Sequence, residues 1–94
     1  MFGLITEFRV HAAQRAAFEA VLVAAVPGLE GCLSYVVASD ASRDDAVWVT
    51  EIWRDAASHA ASLGTARVRA AIAQARPMMT GMGARIETRP ANGP

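Results

Sequence analysis

Residues 46–64, AVWVTEIWRDAASHAASLG, change abruptly from a strand pattern to a helix pattern, and this change constrains the fold more than any other feature. The first half is rich in Trp, Val, Ile and Thr, which favour strands. Asp55 then stands as a good helix N-cap, and Gly64 stands where a helix C-terminus favours glycine. We therefore predict a strand over Ala46–Trp53 that leads at once into a helix ending at Leu63.

Apolar periodicity predicts the elements on both sides of this stretch. Alternating side chains indicate strands over 3–10, 32–39 and 81–89. Apolar residues at helical spacing predict a helix over 12–26 and a further helical segment capped by Thr65 and ended by Pro77.

The resulting order, β-α-β-β-α-β, predicts an α+β, ferredoxin-like fold with an antiparallel sheet and helices on one face. In the third strand, Val47 and Val49 lie on one side, and Trp48 and Ile52 lie on the other. A sheet with one face in water should instead be polar on that face. Pairing two such sheets would cover the apolar surface, so we expect a homodimer in the form of a dimeric α+β barrel.

The length and composition narrow the class of protein. The 94 residues fit one domain spanning 1–94, with 90–94 as a flexible tail. There is no apolar run of membrane-spanning length, no basic leader, and a single cysteine, Cys32. We therefore expect a cytoplasmic protein with no membrane partner. A net charge of zero and the lack of a basic aromatic strand pattern argue against a nucleic-acid partner.

Motifs for several other chemistries are missing from the sequence. The two histidines, His11 and His59, are 48 residues apart and lack cysteine or paired carboxylate neighbours, so we predict no metal site. The glycines Gly81 and Gly83 precede a strand, whereas a phosphate-binding loop joins a strand to a helix.

The candidate catalytic residues cluster around the predicted strand-to-helix junction. Trp53 shares a strand face with Glu51, and it is either a core aromatic residue or a pocket wall that stacks on a planar substrate. His59 falls one turn into the following helix, where an imidazole could accept a phenolic proton or simply pack. Glu51, if buried, needs a partner, for which Arg9 and Arg85 are candidates.

The remaining candidate residues would line or close a substrate pocket. Tyr35 alternates with apolar residues and could project its hydroxyl into a cavity or pack in the core. Met78 belongs to a methionine cluster that suits a pliable pocket lip or a gap-filled core. Residues 66–94 carry five arginines and one acid. Of these arginines, Arg69 and Arg76 could hold a substrate oxyanion or form a solvated helix face.

The sequence resembles the antibiotic biosynthesis monooxygenase family of dimeric α+β barrels over about residues 2–88. The resemblance is carried by PGLEGCLSYVV, VTEIWRDAASHAASL and VRAAIAQARPMMTGM. It implies oxygenation of a small electron-rich aromatic, such as a quinol or a polycyclic phenol, by O2 without any cofactor. In that chemistry the substrate anion itself reduces dioxygen, so the protein binds, deprotonates and shields it.

Two departures from related subfamilies bear on the substrate. The resemblance implies an asparagine on the first strand for haem degradation, but the only asparagine here is Asn92. Anthrone-oxidising relatives carry a tyrosine and an asparagine where this chain has His59 and Val49. Two other functions remain open, namely a non-catalytic, stress-related ligand-binding barrel and a cofactor-free isomerase.

Overall fold

The computed structural model describes residues 1–94 and has four strands and three α-helices. The strands are β1 (Phe2–Val10), β2 (Cys32–Ser39), β3 (Ala46–Trp53) and β4 (Met79–Thr88). The helices are α1 (Arg15–Ala25), α2 (Ala56–Ser62) and α3 (Ala66–Ala75). Short 3-10 turns over Ala12–Gln14 and Arg76–Met78 precede α1 and β4. The predicted α+β, ferredoxin-like order is confirmed, with the second helical region divided into α2 and α3.

The four strands form one antiparallel sheet in the order β2-β3-β1-β4. The central pair, β1 and β3, is aligned so that Phe2 faces Trp53 and Leu4 faces Glu51. On the far side of β1, Thr6 faces Arg85. The register thus fixes which residues from distant parts of the sequence share a face.

The helices cover one face of the sheet. On that face β3 contributes Val47, Val49, Glu51 and Trp53, all of which are buried. Phe18 of α1 packs against the two valines and anchors the helix to the sheet. The core is therefore a single layer of side chains between the sheet and the helices.

The opposite face of the sheet is uncovered and partly apolar, as the alternation predicts. It carries Ile5, Val36, Trp48, Ile52 and Ile86. Val36 and Ile86 are about half exposed, at 54% and 49%. The α-helices lack the length and the hydrophobicity that a transmembrane helix requires.

The start of α2 is held close to the sheet by the loop before β2. Asp55 caps α2 by accepting a hydrogen bond of 2.7 Å from the Ser58 backbone N–H. Gly31 has φ +80°, and a Cβ there would come within 2.6 Å of the Ser58 side chain. Only glycine combines this conformation with so close an approach. The loop therefore sets the position of α2 and of His59 within it.

The boundaries of two predicted elements differ in the structure. The region predicted as one helix over 12–26 begins with a 3-10 turn, so α1 starts at Arg15. The last strand starts at Met79 rather than at Gly81, because the 3-10 turn ends one residue earlier and β1 pairs with β4 as far as Met79. Residues 90–94 follow β4 without regular structure.

Candidate active site

A cavity of about 270 Å³ lies between the helix-facing side of the sheet and the helices. Its floor is formed by three successive same-face residues of β1, namely Leu4, Thr6 and Phe8. Eleven of its sixteen lining residues are hydrophobic. The few polar side chains therefore act in largely dry surroundings, where hydrogen bonds and charges count for more than in water.

Trp53 and Glu51 are joined within this cavity by a buried hydrogen bond. The indole Nε1–H of Trp53 donates to Glu51 Oε1 over 2.9 Å. Trp53 is completely buried, and Glu51 is 9% exposed. The two residues are neighbours on one face of β3, two positions apart, so the strand itself sets the contact. This bond fixes the indole plane along one wall of the cavity.

His59 reaches the same carboxylate from α2. Its Nε2 lies 4.0 Å from Glu51 Oε1, which is beyond hydrogen-bonding distance. The imidazole packs between two aromatic rings, with its centroid 5.2 Å from that of Phe2 and 5.6 Å from that of Trp53. The ring is thus held in place by packing, and Nε2 remains free to accept a proton from a ligand.

Burial dominates the ionisation of Glu51. It raises the pKa of Glu51 above its ordinary value, while the Trp53 hydrogen bond and the nearby His59 and Arg85 lower it in part. The sequence suggested a salt bridge from Glu51 to Arg9 or Arg85, and this pairing is absent. Arg9 lies on the opposite face of the sheet and pairs there with Glu7 over 3.2 Å. Trp53 provides the hydrogen bond to Glu51 instead.

Tyr35 and Cys32 border the carboxylate on β2. Tyr35 is the cross-strand partner of Glu51 and lines the cavity. Burial, followed by the charge of Glu51, raises the pKa of Tyr35 strongly, so its hydroxyl stays protonated and can donate a hydrogen bond. Burial also raises the pKa of the Cys32 thiol.

The structure brings some of the predicted site residues together and separates others. Four of them line the cavity, namely Tyr35, Glu51, Trp53 and His59.

Three predicted residues lie elsewhere. Arg69 and Arg76 border a shallow groove on the outer side of α3. Met78 packs against the core cluster around Val10 and Phe18.

Arg85 and Met82 also line the cavity. Sequence reasoning considered Arg85 only as a partner of Glu51, and it considered the methionine cluster to which Met82 belongs as a pocket lip or a gap-filled core. Both lie on β4, where they pair across to β1 beside residues of the cavity floor. The alternation in β4 was visible in the sequence. Which of its two faces meets the cavity depends on the register with β1, about 80 residues away in the chain, and no local pattern gives that register.

A larger surface groove, of about 650 Å³, runs beside the N-terminus. Its lining is mostly polar and includes Arg54, Asp55, Glu87 and Arg89. Arg54 is already paired with Glu30 over 3.1 Å. We therefore place the candidate active site in the smaller apolar cavity, which joins a hydrophobic lining to a few convergent polar groups. No group of three or more His, Cys, Asp or Glu side chains is arranged to hold a metal ion.

The fold and the cavity define an α+β, ferredoxin-like domain with a largely apolar cavity between the sheet and the helices. The family model described as antibiotic biosynthesis monooxygenase matches residues 1–74. The chain therefore belongs to the antibiotic biosynthesis monooxygenase family.

Solved structures agree with this assignment. A protein from Chloroflexus aurantiacus J-10-fl with the same family description is 43% identical to this chain, with a TM-score of 0.94. The match covers 98% of this chain and 94% of that one. A Caulobacter crescentus CB15 protein with this description is 27% identical, with a TM-score of 0.77 and coverage of 93% and 84%.

A further structure shows the breadth of the fold. A protein from Deinococcus radiodurans is 22% identical with a TM-score of 0.82, over 99% of this chain and 95% of that one, and at this identity it supports the fold alone. No significant match was found among curated proteins.

Proposed function

We propose that this protein is a cofactor-independent monooxygenase that oxidises a small phenolic or quinol-like aromatic with O2. The observation that carries the proposal is the arrangement of His59, Glu51 and Trp53 in an apolar cavity. Deprotonation of a bound phenol requires a base with a free nitrogen, which is His59. The buried Glu51 carboxylate stands behind this base, and the Trp53 indole lies beside it. Family membership supports the same reaction class.

The size of the cavity bears on the substrate. Its volume of about 270 Å³ is just below the ~300–1,000 Å³ that is usual for sites binding drug-sized ligands. The floor residues Leu4, Thr6 and Phe8 span four residue steps, or about 13 Å along the strand. These dimensions favour an aromatic of one or two rings over a larger polycyclic substrate.

In the proposed reaction, His59 Nε2 accepts the proton of the bound phenol. The nearby Glu51 carboxylate favours the resulting imidazolium, because opposite charges close together in a dry site attract strongly. Trp53 is buried at the cavity and holds the Glu51 carboxylate in position through its indole N–H. The Tyr35 hydroxyl is available to donate a hydrogen bond to the phenolate oxygen.

The substrate supplies all four electrons that the reaction needs. The phenolate gives one electron to O2, and the phenoxyl radical and superoxide then join at an ortho or para ring carbon that carries a hydrogen atom. The resulting peroxide loses water as its O–O bond breaks, leaving a quinone. The ring gains one oxygen atom, and the other leaves as water with the phenolic proton and the ring proton. The protein contributes binding, deprotonation and exclusion of solvent.

We further propose that the protein acts as a homodimer in which the open sheet faces of two copies pack together. The exposed apolar residues on that face, Val36 and Ile86 among them, support this proposal. Contiguous apolar surface on a small domain usually marks an interaction site.

The test of the proposed function is oxygen uptake with 1-naphthol and a panel of reduced quinols, with ¹⁸O₂ label sought in the product by mass spectrometry. With 1-naphthol, whose para carbon is free, we expect 1,4-naphthoquinone carrying one labelled oxygen, at a rate above the enzyme-free rate. Trp53→Phe removes the indole donor and should slow turnover. Binding of these compounds without any excess label incorporation would favour the non-catalytic ligand-binding barrel, and oxygen-independent turnover would favour the isomerase.

A further inference from the structure

Apart from His59, Arg85 is the only basic side chain that lines the cavity. It projects from β4, the edge strand, and its side chain is 50% exposed, so it stands at the mouth of the cavity. It lies beyond residues 1–74, to which the family model applies. A guanidinium at an otherwise apolar opening favours an anionic ligand group, and it binds a carboxylate through two parallel hydrogen bonds.

The guanidinium is weakly engaged within the chain. Its closest carboxylate is that of Glu87, with Nη1 and Oε1 3.6 Å apart. This distance exceeds hydrogen-bonding range, and the Glu87 side chain is itself 64% exposed. Exposed pairs of this kind contribute little, so a ligand carboxylate with good bidentate geometry can replace Glu87 as the partner.

The sheet register places Arg85 away from Glu51, the carboxylate that lies 4.0 Å from the proposed base, His59. Glu51 lies on β3 and Arg85 lies on β4, with β1 between them. The backbones of β3 and β4 are therefore two strand spacings, or about 10 Å, apart. Arg85 is also displaced along the strands, since it faces Thr6 whereas Glu51 faces Leu4. A ligand that contacts both His59 and Arg85 therefore needs its two polar groups on opposite sides of a two-ring skeleton.

The charges fix the orientation of such a ligand. A carboxylate placed beside the buried Glu51 would meet a group of like charge, whereas one beside Arg85 would meet an opposite charge. The phenolic hydroxyl therefore belongs at His59, and the anion belongs at the mouth.

We propose that Arg85 is a specificity-determining residue that selects phenolic substrates carrying a carboxylate at the end remote from the hydroxyl. This inference deepens the proposed function and depends on it for the placement of the phenol. Its substrate class is a hydroxyarene carboxylate with two rings, in which the hydroxyl and the carboxylate stand on different rings.

The test compares three air-stable probes by titration calorimetry under argon. In 6-hydroxy-2-naphthoate the two groups lie at opposite ends, in 3-hydroxy-2-naphthoate they are adjacent, and 2-naphthol lacks the carboxylate. We expect the first to bind about tenfold more tightly than the other two, which is the usual scale for one charged hydrogen-bonded pair. Raising the salt concentration should reduce this preference, because the mouth is open to solvent.

Three variants identify the group responsible. Arg85→Gln should remove the preference, so that all three probes bind with similar affinity, while Arg85→Lys should keep part of the preference. Glu87→Gln removes the competing carboxylate and should increase the preference. Arg89→Gln is the matched control, because it removes the same charge from the same end of the chain outside the cavity.

Equal affinities for the three probes in the wild-type protein, or a preference that survives Arg85→Gln, would overturn the inference. These binding results are independent of oxygen chemistry. A preference that depends on Arg85 in a protein without oxygenase activity would reject the proposed reaction and keep Arg85 as the selecting residue. Oxygenation of 1-naphthol without any preference among the three probes would keep the proposed reaction and reject Arg85 as the selecting residue.

Discussion

At the scale of single residues, His59 is a mostly buried histidine rather than a surface one, and its contacts suit the role of base that we propose for it. Its side chain is 14% exposed, is packed between Phe2 and Trp53, and has Nε2 within 4.0 Å of a carboxylate without a hydrogen bond to it. Glutamine at this position fills similar space and still forms hydrogen bonds, but it cannot take up a proton.

We therefore expect His59→Gln to lower kcat for 1-naphthol oxygenation by about 100- to 10,000-fold, the usual contribution of a general base. The dissociation constant for 2-naphthol should change little, because the cavity lining stays intact. Steady-state oxygen uptake and calorimetry measure the two quantities separately. His11→Gln, which changes an exposed histidine outside the cavity, is the control. Wild-type turnover in His59→Gln would remove His59 from the mechanism.

Glu51 links the site to the pH dependence of stability. Because burial raises its pKa, the folded protein keeps this proton to a higher pH than the unfolded chain does. Between the unfolded pKa of about 4.3 and the higher folded value, the folded state binds more protons. The free energy of unfolding contributed by this group therefore falls as pH rises through that window.

Glu51→Gln should abolish this contribution while keeping an oxygen that accepts the Trp53 hydrogen bond. We expect the variant to be more stable than the wild type at pH 7, with the difference disappearing as pH falls below the unfolded pKa. Urea unfolding at a series of pH values measures this difference in the free energy of unfolding. Glu30→Gln, which removes a carboxylate whose side chain is 88% exposed, is the control. A stability difference that does not vary with pH would show that burial of the Glu51 charge is not its cause.

At the scale of elements, α2 is a short helix whose placement determines where His59 lies. It has seven residues, fewer than an isolated helix needs for stability, so its cap and its contacts keep it formed. Asp55 caps α2 through Ser58, and Thr65 caps the following helix, α3, by accepting from the Val68 N–H over 3.3 Å. Removal of the Asp55 side chain acts at the start of α2, whereas removal of the Thr65 side chain acts at the start of α3 and also at the end of α2, where Thr65 Oγ1 donates to the Ser62 carbonyl over 2.7 Å.

We expect both Asp55→Ala and Thr65→Ala to lower the melting temperature, because each leaves a helix N-terminus without its side-chain acceptor. Asp55→Ala should lower kcat more than Thr65→Ala does, since the cap at Asp55 holds the start of α2, which carries His59, and α3 carries no proposed catalytic group. Circular dichroism during heating measures the melting temperatures. Oxygen uptake at a temperature where both variants are folded measures kcat. Equal losses of kcat in the two variants would show that the position of α2 does not limit the reaction.

Local patterns in the sequence predicted most of these elements and part of the site. The change of period after Trp53 gave β3 and α2, and the spacing of Glu51, Trp53 and His59 along one strand and one helical turn put them near each other. That Glu51 bonds Trp53 rather than an arginine depends on the sheet register, which places Arg9 on the far face. The same long-range register brings Arg85 to the cavity, and no local pattern contains it.

At the scale of the whole molecule, the uncovered sheet face determines the assembly that we expect. Val36 is 54% exposed on that face, and Val23 is 55% exposed on the outer surface of α1. The two valines thus have equal exposure in a single copy of the chain. Val36 lies in β2, on the face that a second copy would cover, whereas Val23 lies in α1, away from that face.

We predict that the wild-type protein sediments as a dimer at micromolar concentration and that Val36→Glu shifts it to the monomer mass. The reason is that a dimer would bury the introduced charges in an apolar contact without a partner, which is costly. Val23→Glu should leave the dimer intact, and both variants should keep the wild-type circular dichroism spectrum, because neither side chain is buried within one copy. Analytical ultracentrifugation over a range of concentrations measures the masses. A monomeric wild-type protein would reject the homodimer, and a dimer that tolerates Val36→Glu but not Val23→Glu would place the interface on the helices instead.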